Sequence, residues 1–136
     1  MCCMRSLVTL IIILLFFISC RKEPVTNSSL VNYKNCTSQT IRSEAVTICL
    51  DDVVSDSRCP ANAICVWAGT AIAKFSFTAN GNVYPLTLAT FAFGGIPSDT
   101  LVAGYKIKFI NLTPYPGTYN PPLPASEIKA EIEITR

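Results

Sequence analysis

The chain of 136 residues contains no histidine. This absence excludes Ser-His-Asp and Cys-His catalysis, histidine metal sites and a histidine pH switch. Charged residues are also scarce, at 15%, and the formal net charge is only +2. With no basic run along the chain, the sequence has no electrostatic footprint for nucleic acid. Any enzymatic chemistry would therefore have to use carboxylates, lysine, serine or tyrosine.

The sequence also lacks a convincing amphipathic helix, and its apolar residues alternate with a period of two. Alternation from Cys65 to Phe77 predicts a long half-buried strand. Asn80-Gly81 predicts a tight hairpin turn because both residues tolerate positive φ. Pro85 predicts that the start of the returning strand lies at an edge or a bulge. Other strands are predicted near 38–42, 46–51, 83–92, 104–112 and 128–134. Together they predict an all-β fold, a small antiparallel sandwich or barrel of about six to seven strands.

An apolar run from Leu7 to Ile18 follows the single positive charge of Arg5. A membrane-spanning helix needs about 20 apolar residues, so this run is too short to span a bilayer. A buried core helix is disfavoured because the run is apolar on every side. The length of the run and its positive flank are typical of a secretory signal peptide, which is predicted at residues 1–19.

The run ends in FISC, Phe17 to Cys20, which resembles the lipobox of bacterial lipoproteins. The resemblance implies that residues 1–19 are removed and that Cys20 is acylated, so that the chain binds a membrane through its N-terminal lipid. The alternative is an ordinary secreted protein with a free Cys20. In some bacteria, an Asp directly after the lipidated cysteine resembles a signal for retention in the inner membrane. Arg21 stands at that position here, which favours the outer membrane. Residues 20–35 are then a lipidated, flexible tether and residues 36–136 a single β domain.

Four cysteines follow the predicted lipidation site: Cys36, Cys49, Cys59 and Cys65. An even number in an exported chain predicts disulfide bonds. The spacings fit neither the close cysteine pairs of structural zinc sites nor a Cys-x-x-Cys redox motif, so we expect no metal and no cofactor. The short, proline-containing loop favours a Cys59–Cys65 bond, and Cys36–Cys49 follows by elimination.

Two stretches, DSRCP from Asp56 to Pro60 and CVWAG from Cys65 to Gly69, are followed by NLTPYP before the final strand. This combination resembles a signature of small exported proteins and lipoproteins of Bacteroidetes-type bacteria, over residues from about Ile41 to the C-terminus. The resemblance implies a β fold and an exported location, and it implies no particular activity.

The candidate site residues are few. Asp56 and Arg58 form a candidate polar site, although Asp56 in a turn and Arg58 paired with a carboxylate would serve the fold alone. Trp67 is in phase with the buried face and is expected to pack in the core. Tyr115 and Tyr119 lie in a proline-rich loop, Thr113 to Ser126, and are candidates for contact with a glycan or a peptide.

These observations predict a non-catalytic lipoprotein of the outer membrane, with a binding or structural role at the cell envelope and an envelope protein or glycan as its partner. The alternative is a carboxylate-based hydrolase that acts on envelope glycans. Two facing carboxylates in a concave groove would favour the hydrolase.

Overall fold

The computed structural model describes residues 26–117 and 123–136. The predicted signal peptide, Cys20 and Tyr119 lie outside the described residues. Eight strands form in chain order: β1 (Thr26–Asn32), β2 (Cys36–Ile41), β3 (Glu44–Asp56), β4 (Ala71–Ala79), β5 (Asn82–Ala89), β6 (Asp99–Val102), β7 (Tyr105–Thr113) and β8 (Lys129–Thr135). A single turn of 3₁₀ helix, Ala125–Glu127, precedes β8. In the described part of the chain, no helix is long and apolar enough to cross a membrane.

The strands form two antiparallel four-stranded sheets. One sheet has the order β1-β8-β7-β6 and the other β2-β3-β4-β5. The arrangement confirms the predicted all-β sandwich, with one strand more than the predicted range. Pro85 lies on β5, an edge strand, as its missing N–H requires.

The β domain begins earlier in the chain than the sequence predicted. Thr26 to Asn32, assigned to a flexible tether, pair with β8 along their whole length, from Thr26 opposite Thr135 to Asn32 opposite Lys129. The segment has short polar side chains and only two apolar ones, so its strand period is faint. Val31 is fully buried, and the Ser29 hydroxyl donates to the side chain of Gln39 on β2. The strand is therefore specified by tertiary contacts more than by its own composition.

The core fills the space between the sheets with the alternate residues of each strand. Phe75 meets Phe109 edge to face at 5.1 Å, and Phe77 meets Tyr105 at 5.5 Å. Each pair joins β4 to β7 and so joins one sheet to the other. All four rings are buried, so their contacts set the distance between the sheets.

Two disulfide bonds, Cys36–Cys49 and Cys59–Cys65, confirm the predicted pairing. Cys36 and Cys49 lie directly opposite each other on β2 and β3. Cys59–Cys65 closes a small ring within the β3–β4 loop. From their sequence separations of 13 and 6, loop closure gives stabilities of about 3 and about 2 kcal/mol.

The two ends of the sandwich differ in construction. At one end, which we call the near pole, tight turns join β2 to β3, β4 to β5 and β6 to β7, with positive φ at Arg42, Ser43, Asn80, Gly81, Ala103 and Gly104. The predicted Asn80-Gly81 hairpin is confirmed there. At the opposite end, the distal pole, lie the long β3–β4, β5–β6 and β7–β8 loops. Binding residues concentrate on long loops held by a rigid scaffold, so the distal pole is the expected location of a binding site.

Candidate functional site

The β3–β4 loop leaves the sheet through a narrow neck. The pairing of the two strands continues beyond them, since the Ser57 N–H donates to the Thr70 carbonyl at 2.9 Å and the Cys59 N–H donates to the Ala68 carbonyl at 2.8 Å. The Ser57 hydroxyl also donates to the Thr70 carbonyl and accepts the Thr70 N–H. Residues between Cys59 and Ala68 therefore project from the sandwich as a closed loop.

Gly69 is required at this neck. Its φ is +66°, and a Cβ at this position would lie 1.9 Å from the carbonyl oxygen of Ser57. Only glycine combines this backbone conformation with so close an approach of the opposite strand. Gly69, the last residue of the CVWAG stretch, thus turns the chain between Trp67 and the start of β4.

The predicted strand is confirmed from Ala71 onward, but its predicted start at Cys65 was wrong. β4 begins at Ala71, and Trp67 lies on the surface with 76% of its area exposed. The alternation that placed Trp67 with the core residues is broken at Gly69, because a positive φ is incompatible with a continuous strand. The Cys59–Cys65 bond then holds the preceding residues away from the sheet.

A second loop lies beside the first and is fixed by two threonines. The Thr70 hydroxyl donates to the Phe91 carbonyl at 2.9 Å and accepts the Phe91 N–H at 3.1 Å. The Thr90 hydroxyl accepts the Ala71 N–H at 3.0 Å. Thr70 is buried, so these bonds form a polar floor that attaches the start of the β5–β6 loop to the base of the β3–β4 loop.

Between the two loops lies a groove of about 430 Å³. We call it the aromatic groove; its lining residues are Ser57, Trp67, Ala68, Gly69, Thr70, Phe91 and Phe93. Phe91 and Phe93 are 74% and 56% exposed, similar to Trp67. A groove of this size, lined by aromatic side chains on a rigid base, has the usual character of a ligand site.

The only charged side chain of the two loops that form the groove is Arg58, which is buried against Asp56. Residues 59–70 and 89–98 include no Asp, Glu, Lys or Arg. Ile64 and Val66 flank the disulfide and are fully exposed, which extends the apolar surface beyond the groove. Exposed apolar side chains grouped in this way are a candidate interaction site.

Asp56 and Arg58 point away from the groove and bind each other. The Arg58 guanidinium donates to both carboxylate oxygens, at 2.8 Å and 2.7 Å. It also donates to the Asn111 side chain and to the carbonyls of Leu112 and Pro114, at the end of β7. Arg58 is 5% exposed, and its buried donors thus join the β3–β4 loop to the other sheet.

Tyr115 covers this cluster. Its ring lies over the Arg58 guanidinium, with the ring centroid 4.1 Å from the guanidinium carbon, and it remains 44% exposed. Stacking on Arg58 gives Tyr115 a structural role, and the ring lies outside the lining of the aromatic groove. The Ala61 N–H donates to the Pro116 carbonyl at 3.2 Å, so the β7–β8 loop supports the β3–β4 loop from the side.

A second polar cluster lies at the near pole. The Tyr105 hydroxyl donates to Glu44 at 2.8 Å, and Arg136 forms a 2.6 Å ion pair with the same carboxylate. The hydrogen bond from Arg136 lowers the pKa of Glu44, and that from Tyr105 adds to the effect. Desolvation raises the pKa of Tyr105. The cluster ties the last residue of the chain to the start of β3 and therefore closes the sandwich at this end.

The fold and the site together define a disulfide-stapled β-sandwich with an aromatic groove on its distal loops. Comparisons with protein-family models, with curated proteins and with solved structures gave no match to this chain. Any function must therefore be inferred from the site itself. Within residues 26–117 and 123–136, no three His, Cys, Asp or Glu side chains group closely enough to hold a metal ion.

The sequence did not indicate that Phe91 and Phe93 belong to a candidate site. Phe91 falls within the strand predicted at 83–92, and Phe93 directly follows that strand. The composition of residues 89–98 could have indicated a binding loop, because this run of ten residues has two aromatic side chains and no charged one. Only the structure shows that this run lies beside Trp67.

Proposed function

We propose that the chain is a non-catalytic lipoprotein of the outer membrane, which binds a partner at the cell envelope through the aromatic groove. The observation that carries the proposal is the exposure of Trp67, Phe91 and Phe93 around one concave surface. A disulfide, a glycine neck and two threonines fix the backbone of the loops that carry these rings, so little backbone entropy is lost when a ligand binds.

The direction of the chain supports an anchored binding role. β1 begins at Thr26 at the near pole, and it runs toward the distal pole beside β8. Its 7 residues span about 23 Å. A lipid on Cys20 would attach the near pole to the membrane through a segment that extends no further than about 20 Å. The aromatic groove then faces away from the membrane, toward a partner.

Binding fits the lining of the groove better than hydrolysis does. The lining includes no carboxylate, whereas glycoside hydrolysis commonly requires two of them, about 5–10 Å apart. Asp56, the nearest acidic residue in sequence, has both oxygens bound by Arg58. The exposed rings offer instead the flat, rigid contact area typical of binding hot spots.

The proposal is tested by capture from detergent-solubilised outer membrane with the full chain as bait. We expect a discrete bound component that is lost with Trp67→Ala and retained with Leu101→Ala. Leu101 is the matched control because it is an apolar side chain on β6, at the other pole, with 75% exposure. Equal recovery by both variants would contradict the groove as the binding surface, and release of cleaved glycan would point to the hydrolase.

A further inference from the structure

We infer that the aromatic groove binds an uncharged, proline-rich segment of a partner protein in the extended polyproline II conformation. This inference rests on the proposed function and names the chemistry of the ligand. It follows from the hydrogen-bonding capacity, the ring surfaces and the charge of the groove.

Most of the hydrogen-bond acceptors that line the groove are already engaged, and only the carbonyls of Ser57, Trp67 and Gly69 receive no hydrogen bond from the described residues. The carbonyls of Ala68, Thr70, Phe91 and Phe93 each accept a hydrogen bond from within the two loops. The hydroxyls of Ser57 and Thr70 are engaged in the same network. A ligand that arrives with many donors, such as a sugar with its hydroxyls or an ordinary peptide with its N–H groups, would find few partners here.

The indole N–H of Trp67 differs from these groups, because none of the residues that the structure describes accepts a hydrogen bond from it. The groove thus offers a donor next to flat aromatic faces. Proline matches this pattern, since it has no N–H, keeps its carbonyl acceptor and presents a compact ring to an aromatic face. Polyproline II segments are also stiff before binding and lose little entropy, and aromatic grooves exploit this property.

The absence of charge excludes other ligands. Anionic lipid surfaces and acidic ligands are recognised by Lys and Arg, and residues 59–70 and 89–98 contain neither. A charged peptide would lose hydration without gaining an ion pair. An uncharged segment bears no such cost.

Residues 114–117, the described start of the protein's own proline-rich loop, are an unsuitable ligand for a second copy. The Pro114 carbonyl accepts a bond from Arg58, and the Pro116 carbonyl accepts one from Ala61. A Cβ on Gly117 would lie 2.9 Å from both Pro60 and Asn62, so this segment packs tightly against its own β3–β4 loop. These residues of a second copy are therefore not the ligand, and we assign the ligand to a different protein.

The test uses the fluorescence of Trp67, the single tryptophan of the chain. The full chain in mild detergent is titrated with the blocked peptide Ac-PPLPPLPP-NH2, which contains no tryptophan. We expect a saturable blue shift in emission as the exposed indole is covered. Phe91→Ala should weaken the affinity roughly thirtyfold, the factor for removal of a binding hot spot, while Leu101→Ala should leave it unchanged.

A control peptide, Ac-AALAALAA-NH2, keeps the apolar character but regains N–H donors and loses stiffness, so it should bind much more weakly. Equal binding of the two peptides, or no binding of either, would overturn the inference. A Phe91-dependent shift with chitooligosaccharide in place of the peptide would overturn it while leaving the proposed function intact. Self-association that Phe91→Ala abolishes would also overturn it, because the ligand would then be a second copy. The proposed function is tested separately: it would be refuted if capture from outer membrane were the same with and without Trp67→Ala.

Discussion

Arg58→Ala should be among the most destabilising single substitutions in this protein. The side chain is 3% exposed, and its removal takes donors from the Asp56 carboxylate and from the carbonyls of Leu112 and Pro114. Breaking a buried pair on one side costs about 3–5 kcal/mol, because the remaining partner loses its compensation. The Asp56 side chain is 22% exposed and water can reach it, so we expect a value near 3 kcal/mol.

Urea unfolding measures this loss directly. With a slope of about 1.5 kcal/mol per molar, a loss of about 3 kcal/mol lowers the midpoint by roughly 2 M. Lys106→Ala is the control, since its ion pair with Asp99 is exposed and should contribute less than about 1 kcal/mol. Arg58→Lys should recover only part of the loss, because an ammonium cannot form the two-pronged contact. A change in Arg58→Ala no larger than in Lys106→Ala would refute the structural role assigned to Arg58.

Other predictions concern the anchor, the neck of the groove and the near pole. Cys20→Ala should move the protein from the membrane pellet to the soluble fraction, and retention in the pellet would contradict lipidation at Cys20. Gly69→Ala should destabilise by at least about 2 kcal/mol in urea unfolding, since strain from positive φ adds to backbone overlap, whereas Gly104→Ala has open space and should show the φ cost alone. The lowered pKa of Glu44 stabilises the fold above the ordinary carboxyl pKa, and this contribution is lost as the pH falls through the lowered value. Glu44→Gln should therefore flatten the rise in urea midpoint as the pH climbs from the lowered pKa of Glu44 to the ordinary carboxyl pKa, and an unchanged slope would show that the Arg136 contact has no effect.

The sequence was sufficient for the features that local chemistry determines. The period of two in β7 and β8 reflects one buried and one exposed face, and the Asn80-Gly81 turn follows from tolerance of positive φ. The pairing of Cys59 with Cys65 follows from their proximity along the chain. The pairing of Arg58 with a carboxylate and the backbone N–H bond to Asp56 were likewise expected, but Asp56 is the last residue of β3 and not part of a turn.

The aromatic groove could not be predicted in this way because it depends on contacts between distant segments. Trp67 kept the alternation of β4 in sequence, but the approach of Ser57 to Gly69 breaks that alternation in space. The bonds from Thr70 that place Phe91 beside Trp67 join two different loops. β1 was missed for the same reason, since its partner, β8, lies at the other end of the chain.

Photo-crosslinking in intact cells tests the central claim most directly. A photoreactive phenylalanine analogue at position 93 reports on the aromatic groove, and the same analogue at position 101 replaces an exposed apolar side chain at the near pole. The groove as binding surface predicts a discrete crosslinked adduct from position 93 and none from position 101. The same adduct from both positions, or an adduct from position 101 alone, would contradict it.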